Sequence, residues 1–369
     1  MSAANWGLRL LAAVVAALLA AHGLATAAPA KQAKKLIEFG WDEPDTRFLR
    51  AHISEMQASP FDGCVFDVGY RLPNGTARSF SWDLWGRSRF RATDLDSARA
   101  DLRATRFGRF RENFPRVNVT PGELDWFEDH SAVMNNLELA ARLARDGACP
   151  GILFDVEPYR GKLWDYKAKT KGHPRSWDSL ATQVRKRGAE AMQALERGYP
   201  GLTVFMSLAY SMPLAQTYGG RGSLKDAQYA LLAPFLDGMI SVASDSVVIV
   251  DGHELSYPFR DPAQFAAKAD SMRHGVLRIV AQPDRYARHL SVGFGIWLDN
   301  DMEHLGWNAQ DPEQNYFTPR KFAVAVQAAF DNADRYVWIY NEKPRWWSPA
   351  GRPLLLPAAY DSVLRTVRR

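Results

Sequence analysis

The sequence predicts a single α/β domain of the (β/α)8, or TIM-barrel, class, and three observations lead there. Eight short apolar runs alternate with amphipathic segments along the chain. Segments running from helix to strand are short and rich in Gly and Pro, whereas those from strand to helix are longer and carry most of the unusual side chains. No Gly-rich phosphate loop follows the first apolar run, where Trp41, Asp42, Glu43 and Pro44 stand instead. That absence disfavours a doubly wound open sheet, the architecture closest in pattern.

The first four strands are expected at 35–41 (KLIEFGW), 63–68 (GCVFDV), 116–119 (RVNV) and 151–156 (GILFDV). The other four are expected at 202–210 (LTVFMSLAY), 238–244 (GMISVAS), 290–298 (LSVGFGIWL) and 335–341 (RYVWIYN). Helices are expected over 45–58, 94–107, 131–145, 176–198, 224–233, 261–274, 319–330 and 357–367. A strand-then-helix unit repeated eight times over one domain closes a parallel barrel, with its functional loops at the C-terminal ends of the strands.

Residues 1–30 stand apart from this pattern. Arg9 precedes an apolar run from Leu10 to Ala21 and then the small residues LATAAPA, the plan of a secretory signal peptide cleaved after Ala27 or Ala30. The barrel is therefore expected over 31–369, in an exported protein with no stable membrane anchor once the leader is removed. Of 369 residues, 47% are hydrophobic and 24% charged, which suits an ordinary globular core. A net charge of +5, with Arg87 to Arg116 interleaved by Asp94, Asp96, Asp101 and Glu112, gives no footprint for nucleic acid. Cys64 and Cys149 each lie in or beside an expected buried strand and read as two buried thiols.

The carboxylates carry the chemical signal. Alternation in a strand puts residues i and i+2 on one side, so Asp155 and Glu157 point together, towards the axis if Phe154 and Val156 face the helices. Pro158 cannot continue the ladder and ends the strand there. Two acids this close push their pKa values apart, as an acid/base pair requires. The eighth strand ends comparably, with Tyr340 and Glu342 on one side, and would face the fourth across the mouth. Glu157 is the expected proton donor and Glu342 the nucleophile or base, with Asp155 tuning Glu157 or taking the second role itself.

Other strand ends add expected substrate contacts: Glu38 and Trp41 on the first, Asp67 on the second, Tyr159 on the fourth and Tyr210 on the fifth. Asp245 closes the sixth, Trp297 and Asp299 the seventh, and Tyr340 and Trp346 the eighth. Nine of the 12 Trp fall at strand ends or in the longer loops, namely Trp41, Trp82, Trp85, Trp126, Trp164, Trp297, Trp307, Trp346 and Trp347. Flat rings suit the C–H faces of pyranoses, so a carbohydrate is the expected partner. The eight His form neither an HExxH motif nor a close pair, and Asp251-Gly252-His253-Glu254 reads as a polar turn, so no metal or other cofactor is expected. No G-x-S-x-G elbow or P-loop occurs.

With these residues in view, the chain resembles glycoside hydrolases of the TIM-barrel type. The DVE of 155–157 is similar to the D-x-E that ends the catalytic strand of family 18 chitinases and family 25 lysozymes, where the Glu is the proton donor or otherwise essential and the Asp orients or stabilises. That match extends to Glu157 and Asp155 only. Leu153 and Pro150 replace the upstream acids of the chitinase pattern, and Trp297 to Asn300 hold no Glu where a nucleophile after strand seven would stand. The resemblance implies an exported glycosidase with a two-carboxylate mechanism; the same mouth without a complete catalytic set would make a glycan-binding barrel.

Overall fold

Eight parallel strands close into a barrel in the computed structural model, which describes residues 33–119, 124–172 and 174–368. The signal peptide expected at 1–30 lies outside the described residues. The strands are β1 (Lys35–Gly40), β2 (Gly63–Phe66), β3 (Phe114–Asn118), β4 (Gly151–Asp155), β5 (Thr203–Met206), β6 (Val248–Asp251), β7 and β8 (Tyr336–Asn341). β7 runs as two pieces, Leu290–Val292 and Phe294–Trp297. Its first piece pairs with β6 and its second with β8, and β8 pairs with β1, so the ring closes through the break at Gly293. A Cβ on Gly293 would sit 3.1 Å from both the Tyr336 carbonyl oxygen and a Val250 methyl, so a side chain at the crossing point would need these neighbours to shift by a few tenths of an ångström.

The main helices are α1 (Thr46–Met56), α2 (Asp96–Ala104), α3 (Ser131–Asp146), α4 (Trp177–Gly198), α5 (Leu232–Val242), α6 (Pro262–Arg273), α7 (Pro319–Asn332) and α8 (Ala358–Val367). Side-chain caps start several of them where the chain leaves a loop: Asp45 accepts from the Phe48 N–H at 2.7 Å, Ser176 from Ser179 at 3.2 Å and Thr318 from Lys321 at 3.3 Å. Cys64 and Cys149 are both free and buried. Among the described residues, no helix is long and apolar enough to cross a membrane.

One expected element is corrected. Residues 238–244 are not the sixth strand: 238–242 end α5, which is buried on nearly every side from Leu232 to Ile240. Such a helix loses its polar face and presents an unbroken apolar run, the same pattern as a buried strand. Of the expected helix at 224–233, only a short 3-10 turn, Leu224–Asp226, and the start of α5 form. The true β6 is Val248–Asp251, so Asp245 precedes the sixth strand instead of closing it. It lies exposed at the barrel's opposite end, held by Arg288 Nη1 at 2.6 Å.

α5 packs against α4 through two glycines. A Cβ on Gly188 would lie 1.9 Å from the Phe235 carbonyl oxygen, and one on Gly238 would lie 1.9 Å from that of Arg185. Gly238→Ala is therefore expected to force the helices apart and cost about 1–3 kcal/mol. Urea unfolding measures this, and an unchanged midpoint would contradict so close an approach.

Candidate active site

Pleat parity decides which residues reach the mouth. Ile37, Phe39, Val65, Phe114, Leu153, Phe205, Val250, Tyr336 and Trp338 fill the barrel interior, while Leu36, Phe66, Val117, Phe154 and Ile339 face the helices. Continuing the inward set upward gives Trp41 after β1, Asp67 after β2, Arg116 and Asn118 on β3, and Asp155 then Glu157 on β4. Ser207 follows β5, Trp297 ends β7, and Tyr340 and Glu342 close β8. Most of these, with Phe39, Tyr159, Glu254 and Tyr257, line a cavity of about 240 Å³ at the C-terminal end of the barrel.

The same parity removes Glu38. It shares the outward side of β1 with Leu36 and lies buried behind the wall, where the Asn341 side chain hydrogen-bonds it. Burial, then the nearby charge of Glu43, pushes its carboxyl up to about 8. Tyr210 is also directed away from the mouth, donating to Asp237 Oδ1 at 2.9 Å beside Tyr286. Trp346 is buried in the outer layer, edge-on to Phe61 with ring centroids 4.8 Å apart. Asp67 is inward, but Ser79 Oγ donates to it at 2.5 Å. Asp299 is buried beneath the rim, where it accepts the backbone N–H groups of Glu342 at 3.0 Å and Lys343 at 2.8 Å and Trp297 Nε1 at 3.0 Å. It positions Glu342 and Trp297 and does not line the cavity.

Of the nine loop tryptophans, Trp41 and Trp297 line the cavity and Trp82 stands over Arg116 just outside it. Trp85, Trp126 and Trp164 instead surround Phe235 of α5, Trp307 packs on Tyr360, and Trp346 and Trp347 pack on Phe61. Glu342 accepts from Tyr340 Oη at 3.1 Å and Trp41 Nε1 at 3.3 Å.

Arg116, buried on β3, organises the acids. Its Nε is 3.0 Å and its Nη2 2.5 Å from Asp155 Oδ2, Nη1 bonds Glu43, and Nη2 donates to Tyr159 Oη at 3.0 Å. Its guanidinium stacks 4.6 Å from the Trp82 ring centroid. Asn118 Nδ2 gives Asp155 Oδ2 a further bond at 3.1 Å, and the Glu157 N–H donates to Oδ1 at 2.9 Å. Asp155 is thus fully engaged as an orienting anion. The Tyr159 hydroxyl, accepting from Arg116, donates to Glu157. Burial raises the Glu157 pKa, the Tyr159 bond opposes that rise, and the Asp155 charge adds to it.

Glu254 is the residue the sequence reading missed. With residues 238–244 expected to be β6, the Asp251-Gly252-His253-Glu254 turn stood away from any strand end; the true β6 delivers it to the rim. Ser211 clamps the turn: its N–H and hydroxyl donate to Asp251 at 2.9 and 2.8 Å, and its Oγ lies 2.9 Å from His253 Nδ1. Since the Ser211 proton is committed to Asp251, His253 Nδ1–H is the donor to Oγ. Burial lowers the His253 pKa to about 3, which keeps the ring neutral. His253 adopts φ +42°, a left-handed geometry unusual for a side-chain-bearing residue, and the Glu254 N–H then bonds the Ser207 carbonyl at 2.9 Å. Burial first, then the charges of Glu157 and Asp155, push Glu254 up to about 8.

No protein-family model matches the chain, and a comparison with curated proteins finds no match. Among solved structures, a putative chitinase A from Streptomyces coelicolor aligns over 91% of this chain and 98% of its own at 11% identity, with a TM-score of 0.40. A GH5_18 protein from Streptomyces cattleya, solved in complex with GlcNAc, aligns over 92% and 81% at 14% identity, with a TM-score of 0.44. Both likenesses are too distant to bear on the site, whose chemistry follows from its own residues.

Two outcomes are expected from this geometry. Arg116→Ala leaves Asp155 and Glu43 buried without their cation and should cost about 3–5 kcal/mol, read by urea unfolding. Glu38 and Glu254, raised to about 8, and Glu43, raised to about 7, hold protons in the folded state that the unfolded chain releases near 4.5. The unfolded state then binds fewer protons, so stability should fall as pH rises from about 4.5 to 8. Glu38→Gln should shallow that fall; an identical slope would contradict the assignment.

Proposed function

We propose that this protein is a glycoside hydrolase that cleaves a polysaccharide or glycan with Glu157 and Glu254 as its carboxyl pair. The observation that carries this reading is that two half-buried acids share one aromatic-lined cavity, where burial raises the pKa of both and takes that of Glu254 to about 8. At neutral pH Glu254 retains its proton and would give it to the leaving glycosidic oxygen. Burial raises the Glu157 pKa, but the Tyr159 hydroxyl and Arg116 oppose that rise, and Glu157 would be the partner that attacks the anomeric carbon or deprotonates the attacking water. This exchanges the roles expected from the D-x-E motif alone, because the motif shows Asp155 beside Glu157 but neither Arg116 nor Glu254.

In this proposal Glu342 accepts sugar hydroxyls, and Trp41, Tyr257, Trp297 and Tyr340 hold ring faces. Asp155 orients Arg116 and the Glu157 backbone. Residues 1–30 would export the enzyme to its substrate.

A panel of polysaccharides with reducing-end detection tests the proposal. Glu157→Gln and Glu254→Gln are each expected to lower kcat at least 100-fold, within the usual range for removing an acid or base. The kcat/KM profile of the wild type should fall on its alkaline side near pH 8 as Glu254 loses its proton. An aryl glycoside with a good leaving group should recover much of the rate in Glu254→Gln but little in Glu157→Gln. Full activity in both variants would sink the assignment; tight glycan binding with no turnover by the wild type would mark a binding barrel instead.

A further inference from the structure

A second cleft opens beside the cavity, and Tyr159 lines both. It measures about 420 Å³ and lies between the hairpin that follows β2, whose strands are Gly69–Arg71 and Ala77–Ser79, and the start of the loop after β4. Trp82 and Tyr159 supply rings set edge to face, with centroids 5.1 Å apart. Arg78 also lines it, neutralised by Asp83 through bonds of 2.7 and 3.1 Å. Arg160, the other cation, is exposed and has no carboxylate within salt-bridge reach among the described residues.

The loop that carries Arg160 is itself one-sided in charge. Between residues 160 and 175 it holds Arg160, Lys162, Lys167, Lys169, Lys171 and Arg175 against the single acid Asp165. Only Lys167 and Arg175 are in salt bridges among the described residues, with Asp226 and Asp125. Of these cations Arg160 stands in the cleft wall, next to a cavity whose own side chains are acidic, and the others follow it in sequence. A neutral glycan has no use for the arrangement, whereas a negatively charged one would be drawn to these cations and held with its charge in the cleft, clear of the carboxyl pair.

We propose that the cleft is a subsite for an anionic sugar, bearing a carboxylate or a sulfate ester, that stacks on Trp82 and Tyr159 and pairs with Arg160. This rests on the glycosidase reading for the neighbouring cavity, and it deepens that reading by naming the substrate class. Such a subsite would make the substrate at least two sugars long, one ring at the carboxyl pair and the next beyond Tyr159.

Binding by the Glu157→Gln protein tests it independently of turnover. Three oligosaccharides of equal length are compared by calorimetry at low and high salt: a neutral hexose oligomer, an oligouronate and a sulfated oligomer. At least one anionic oligomer should bind tenfold or more tightly than the neutral one, and which one it is identifies the charged group. Added salt should narrow the difference. Arg160→Gln, at an exposed position, should remove at least fivefold of the anionic preference, and Lys162→Gln with Lys171→Gln should weaken its salt dependence. Equal binding of all three, no binding of any, or an anionic preference indifferent to Arg160 overturns the proposal. Turnover of a neutral glycan without anionic preference would leave the glycosidase reading standing while this one falls. Arg160-dependent anionic binding with no turnover by the wild type would do the reverse.

Discussion

The ion pair between Arg116 and Asp155 is the constraint on which the upper half of the barrel depends. Strand alternation aims Asp155 at the axis, and the loop after β1 brings Glu43 to the same place, so a buried cation is needed between them. Arginine meets this need where lysine would not, because its planar fork serves Asp155, Glu43 and Tyr159 at once and lies against the Trp82 ring. Through these bonds one side chain ties β3 to β4 and to the loops after β1, β2 and β4. It also passes a hydrogen bond through Tyr159 to Glu157, so the stability of the rim and the proton affinity of the site have a common origin.

The acids of the mouth then divide by surroundings. Asp155 is consumed in holding Arg116, and Glu342 is held by Tyr340 and Trp41 with Asp299 fixing its backbone. Burial raises the Glu157 pKa, and the Tyr159 hydroxyl opposes that rise. Glu254 has burial and two neighbouring negative charges, all of which favour its protonated form. Four carboxyls at the ends of β4, β6 and β8 thereby take different parts around one cavity of about 240 Å³. The cleft beyond Tyr159, with Arg78 and Arg160 in its wall, opens beside this arrangement.

Much of this was legible in the sequence because period and punctuation were clean. Six of the eight strands fall within the expected runs and the third overlaps its run but starts two residues earlier, and Asp155 and Glu157 do face inward with Phe154 and Val156 outward. Glu38 was misplaced although the rule that placed Asp155 applies equally to β1: with Trp41 inward, Phe39 is inward and Glu38 is not. Glu254 was hidden by a different cause. α5 needs no polar face, because it is covered all round by α4 and the Trp85, Trp126 and Trp164 cluster, and an apolar helix without periodicity displaced the real β6 from the reading. Arg116 lay in an expected strand, but its significance depends on Asp155 being 39 residues away in sequence and adjacent in the sheet. Most of the loop tryptophans followed general packing, since a large ring over a helix looks the same in sequence as a ring beside a sugar.

The central claim is that Glu254 is a protonated carboxyl held so by burial and by the charge of Glu157. Carboxyl carbon NMR with labelled glutamate, assigned by the resonance missing from Glu254→Gln, follows its titration in the wild type and in Glu157→Gln. The account predicts a midpoint near 8 in the wild type and a lower one when the Glu157 charge is gone. A Glu254 that titrates in the ordinary carboxylate range and does not respond to Glu157 would contradict it.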